Sequence, residues 1–104
     1  KKSKLHSMIN FLYKQESVKP FIHLKTDEIY QLIEGQLKIL IYNKRLKIVD
    51  KIFLNNNNEI YLLKKNTIHS TEAVSKYCIF SEYRLGPFSK LDNKEYLINS
   101  KNNK

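Results

Sequence analysis

Three histidines and a handful of carboxylates carry whatever metal or acid–base chemistry this 104-residue chain can perform. His23 stands five residues before Glu28 in the stretch FIHLKTDEIYQLIEGQ, and Gly35 follows seven residues after the glutamate. A short turn at Thr26-Asp27 would bring His23 and Glu28 to one side of a sheet. His69 follows another turn, forty-six residues beyond His23. Placed beside the first pair, it would complete a set of two imidazoles and one carboxylate. Such a set suits a divalent transition metal (Zn, Fe, Mn or Ni) and leaves positions open for water or substrate. The same residues, without a metal, make a hydrogen-bonded or solvated His–Glu pair. His6, in the basic start of the chain, reads as structural or exposed. No Ser-His-Asp or Cys-His arrangement is legible. Gly35 and Gly86, the two glycines, form no phosphate-cradling loop.

The elements that must position these residues read as strands. Ile, Val, Tyr and Phe recur in short runs that fit a pleated, half-buried surface. Strands are expected over residues 8–13, 18–24, 28–33, 36–42, 46–53, 60–63, 67–70 and 77–84. Turn signals separate them at 26–27, 34–35, 43–45, 55–58 and 64–66. A repeat of about 8 to 12 residues per unit predicts an all-β sandwich or small barrel. Alternation places Leu37, Ile39 and Ile41 on one face of their strand. It also places Glu28 on one face with Tyr30 and Leu32, so this carboxylate either lines a cavity mouth or has a partner. Cys78, between Tyr77 and Ile79, reads as an inert thiol in a buried strand.

Length and composition bound the class. The chain is expected to form one domain over residues 1–104, with a basic arm at 1–7 and a polar tail at 97–104. No window of eighteen apolar residues exists, so no membrane span is expected. The basic start lacks the apolar run of a signal peptide, and a single cysteine allows no intrachain disulfide. Both point to the cytoplasm. The first residue is not Met, which leaves room for a preceding segment. The net charge is +9, yet seventeen of the nineteen basic residues are scattered lysines. Two arginines and no recognition motif argue against nucleic acid as the partner.

These positions also resemble the motifs of the cupin superfamily. Its first motif has a His-x-His pair, a Glu and a Gly; the matching residues here are Phe21, His23, Glu28 and Gly35. The second motif, Pro-x-Gly-x-x-His, is similar to residues 64–69, KKNTIH. The closing stretch FSEYRLGPFSKLDNKEY resembles the end of the WbuC-type cupin fold metalloproteins. The resemblance spans residues 3–96. It implies a single small cupin-type jelly-roll β-barrel with His23, Glu28 and His69 as metal ligands. It also implies a bacterial role around surface polysaccharide (O-antigen or capsule) biosynthesis and a sugar-type ligand. Three positions depart from the pattern. Phe21 replaces one ligand histidine, Lys64 the proline and Asn66 the glycine, which Asn can replace because it tolerates the left-handed region. Two readings follow. One is a metal-binding protein acting on a sugar derivative, with Tyr30 and Glu82 as candidates for proton transfer or substrate contact. The other is a metal-free binding module whose pocket is walled by Phe21, Tyr30 and Leu32. A homodimer formed through a sheet edge is a further expectation.

Overall fold

The computed structural model describes residues 5–16, 19–23, 26–85 and 93–95, and the side chains of 5, 6, 21, 23, 85 and 93–95 lie outside that description. Among the described residues nine strands run β1 (Leu5–Tyr13), β2 (Phe21–His23), β3 (Glu28–Glu34), β4 (Leu37–Tyr42), β5 (Ile48–Leu54), β6 (Ile60–Leu63), β7 (Ile68–Ala73), β8 (Tyr77–Leu85) and β9 (Asn93–Glu95). They form two antiparallel sheets, in the order β1-β8-β3-β6 and β5-β4-β7-β2-β9. Chain neighbours such as β7 and β8 lie in different sheets, so the chain crosses repeatedly between two layers, as in a jelly roll.

The inner faces follow the period of two. Glu28, Tyr30 and Leu32 of β3 are buried and the intervening Ile29 is exposed. Leu37 and Ile39 of β4 point the same way into the space between the sheets. They meet Leu12, Leu54, Leu63, Ala73, Cys78 and Phe80 in one core. The Leu, Ile and Phe side chains among them each contribute roughly 1.5–3 kcal/mol when fully buried.

Among the described residues three turns adopt a left-handed backbone. Gly35, between β3 and β4, has φ +89°, and a Cβ there would lie 2.5 Å from the Tyr77 carbonyl oxygen. Asn66, at the position where the resemblance led us to expect glycine, has φ 66°. Leu46, in the β4–β5 turn, has φ 62°, which its γ-branched side chain does nothing to favour.

Several boundaries differ from expectation for physical reasons. β7 runs on to Ala73, beyond the expected end at Ser70 and through the polar Thr71 and Glu72. It lies between β4 and β2, and pairing with β4 continues to Leu37↔Ala73. Ladder bonds and burial override the polar composition. β2 is shorter than the expected 18–24 and starts after Pro20, which has no N–H to give a ladder. β1 begins at Leu5 because β8 pairs with it over nine residues, to Leu5↔Leu85. β9, the polar Asn-Lys-Glu, carries no strand signal and forms only as an edge against β2. The tail at 97–104 and most of the basic arm lie outside the described residues.

Candidate functional site

Three strands place ionisable side chains at one end of the space between the sheets, and a fourth lies beside them. Along β8 the inward positions run Cys78, Phe80, Glu82, Arg84, from apolar to charged. Along β3 they run Leu32, Tyr30, Glu28, and along β7 Ala73, Thr71, His69. The registers put the charged ends together. Tyr30 lies opposite Glu82, and Glu28 lies opposite Arg84. Directly opposed inward residues in a ladder have side chains in reach of each other. The fourth strand, β2, meets β7 with Phe21 opposite His69.

Glu28, His69 and Arg84 are buried, at 2%, 3% and 8% exposure. Charged groups are this deeply buried only when they are paired. The His69 Nε2 lies 3.8 Å from the Glu28 Oε1. On the other side of the ring, Nδ1 is 3.1 Å from the Thr67 carbonyl oxygen. A carbonyl can only accept, so Nδ1 carries the proton. Nε2 is then the ring nitrogen aimed at the carboxylate. The pair is compatible with an imidazolium–carboxylate contact or with two ligand atoms turned towards one cation. A backbone carbonyl holding the far nitrogen is how metal-binding imidazoles are usually oriented.

Tyr30 completes the cluster. Its ring meets His69 edge-on at 6.1 Å and Phe80 at 5.8 Å. Burial drives its hydroxyl well above the usual tyrosine range, and the charges of Glu82 and Glu28 and a hydrogen bond to Glu28 add to this; Arg84 opposes it. Tyr30 thus stays a neutral donor to the Glu28 carboxylate at any physiological pH. Glu82 is half-buried and accepts a 3.0 Å hydrogen bond from the Asn10 Nδ2.

The structure thus brings Glu28, His69, Tyr30 and Glu82 to one end of the fold, and places Leu32 in the adjoining core. The backbones of Phe21 and His23 lie in β2 next to β7, with their side chains outside the description. Among the described residues no group of three metal-ligating side chains occurs. Sequence reasoning missed Arg84. The signal was present: two-residue spacing from Cys78 puts Arg84 on the buried face of β8.

By sequence, no family model and no curated protein matches the chain. By structure it is similar to the capsular polysaccharide assembling protein CapF of Staphylococcus aureus. That likeness has a TM-score of 0.71 at 10% identity and covers 88% of this chain and 27% of CapF. A dTDP sugar isomerase from Desulfovibrio desulfuricans G20 matches at TM-score 0.74 and 12% identity, over 90% of this chain and 65% of the isomerase. WlaRA, a TDP-fucose-3,4-ketoisomerase from Campylobacter jejuni, matches at TM-score 0.62 and 20% identity, over 83% and 64%. The chain therefore spans from about a quarter to just under two thirds of these proteins' lengths. At such identities the likeness is one of fold: this chain is a small cupin-type jelly roll.

Proposed function

We propose that this protein binds and acts on a sugar derivative in surface-polysaccharide synthesis. The polar end of the jelly roll is the site, with Glu28, His69 and His23 holding a divalent transition metal. One observation carries the reading: His69 is fixed by the Thr67 carbonyl so that its Nε2 faces the buried Glu28 carboxylate at 3.8 Å. The donor set fits, since imidazole nitrogen and carboxylate oxygen are common ligands for such ions, and the carboxylate offsets part of the charge. A bound metal would supply Lewis-acid polarisation of a substrate carbonyl or hydroxyl. Tyr30 orients Glu28 by hydrogen bonding, and Glu82 is placed to receive or return a proton. Arg84, buried opposite Glu28, holds a fixed positive charge beside them.

The sugar class rests on the fold shared with a capsule-assembling protein and two sugar-nucleotide isomerases. The resemblance of residues 80–96 to WbuC-type proteins agrees with it, although residues 86–92 and 96 lie outside the described residues. In the same reading the protein is cytoplasmic, where nucleotide-activated sugars are made.

A second reading has its own support. Phe21, which has no ligand atom, is the residue paired with His69 across the ladder. In that case the site is metal-free, and it binds its ligand against Tyr30, Leu32 and Phe21. Metal analysis of untagged protein after incubation with Zn, Fe, Mn or Ni separates the two. The metal reading expects near-stoichiometric uptake, abolished by His69→Ala and by Glu28→Gln. No uptake leaves the metal-free module. For the ligand class, a panel of nucleotide-activated sugars should raise the melting midpoint by mass action. If none does, the sugar assignment fails whichever metal result is obtained.

A further inference from the structure

The outward face of the β1-β8-β3-β6 sheet is apolar where a lone molecule would be expected to present charge. Ile9, Phe11 and Tyr13 of β1, Ile29 of β3, and Ile60 and Leu62 of β6 share this face and are between 40% and 71% exposed. They expose on the order of 600 Å², against about 800 Å² per partner in a standard interface and about 300–600 Å² for the largest patch on a typical monomer. Charge is missing as well. Nineteen of the 104 residues are Lys or Arg, yet none of them occupies a described strand position on this face. The one carboxylate at a described strand position on this face, Glu34, accepts the Tyr77 hydroxyl.

The layout of the face points to its occupant. One corner is aromatic: Phe11 meets Tyr13 edge-on at 5.0 Å and stacks on Tyr77 at 5.2 Å. The diagonally opposite corner, where Ile29 pairs with Leu62, is aliphatic. The middle is low and polar, with buried Ser81 beside Gln31, which accepts the Tyr83 hydroxyl. A two-fold axis lying in the plane between two copies sets each aromatic corner on the partner's aliphatic corner, an isologous contact in which one patch meets itself. Two molecules of charge +9 repel, and a face whose described strand positions carry no lysine is where they approach at least cost.

We propose that this sheet face is a homodimer interface, two sheets packing face to face, in place of the edge-to-edge pairing expected from sequence. The contact is independent of the metal and the sugar ligand, since the face points away from Glu28 and His69. Sedimentation velocity on the full chain tests it, with Ile9→Lys on one edge strand and Ile60→Lys on the other. Both side chains are exposed, so neither substitution opens the core, and circular dichroism checks that each variant folds; one folded variant suffices. The expected result is a wild-type species of twice 12.4 kDa and monomeric variants with unchanged metal content. A wild type that is monomeric throughout the micromolar range would overturn the proposal. So would a dimer that survives both substitutions, because it would use another surface.

Discussion

His69 and Cys78 show how much a side chain's chemistry depends on what surrounds it. The imidazole is steered by a carbonyl only two residues away, at Thr67, so its tautomer is set locally. Its partner Glu28 comes from a different sheet. Cys78 is fully buried, and burial pushes its thiol from 9.0 up to about 11. A thiol buried in neutral form resists alkylation, so native protein should react with a thiol reagent only at the rate of unfolding. The same shift affects stability. Because the folded value is the higher, the contribution is complete below pH 9 and is lost as the pH rises towards 11. On the order of 2 kcal/mol should disappear over that window. Tyr30, raised from 10.0, adds a loss in the same direction at still higher pH. Urea midpoints measured from pH 8 to 11 should fall, and Cys78→Ala should flatten the early part of the decline. At this scale the sequence was readable wherever neighbours in the chain decide the outcome. Glu28, Tyr30 and Leu32 do share the buried face that alternation assigns them. Arg84 was harder to see, because a buried arginine makes sense only once Glu28 is known to lie across the ladder.

Strands and turns follow local rules with three informative positions. At Gly35 the positive φ and the close Tyr77 carbonyl act together. Gly35→Ala should cost roughly 2 kcal/mol or more, combining a strained backbone with displacement of β8. Leu46 is the opposite case: a non-glycine residue in the left-handed region at φ 62°. Leu46→Gly should raise stability by about 1 kcal/mol by removing that strain, as read from urea midpoints. A neutral or destabilising result would mean that the half-buried Leu46 side chain contributes more than the backbone costs. Asn66 vindicates the turn chemistry read from sequence, because a residue that tolerates the left-handed region stands where one is required. The extension of β7 and the appearance of β9 were not legible. Thr71-Glu72-Ala73 and Asn93-Lys94-Glu95 become strands because neighbours in space offer ladder bonds.

For the molecule as a whole, charge and fold pull in different directions. A net charge of +9 on 104 residues favours expansion of the chain. Raising NaCl from about 0.01 to about 0.1 M shortens the Debye length from about 30 to about 10 Å. The urea midpoint should rise over that range; a flat or falling midpoint would show that ion pairs such as Lys38–Glu72 matter more than the net repulsion. Inside, the fold divides its interior into an apolar end around Leu37, Ile39 and Phe80 and a charged end around Glu28 and His69.

The sequence by itself determined the strand class, the inward and outward faces and the turn residues. Each of these depends on a period of two or on the φ of a single residue. Only the tertiary structure decided that β7 lies between β4 and β2, that Arg84 faces Glu28, and that the apolar outer positions of four strands form one surface. Those are choices of register between residues far apart in the chain. They are made by which packing buries the core and satisfies the ladders together.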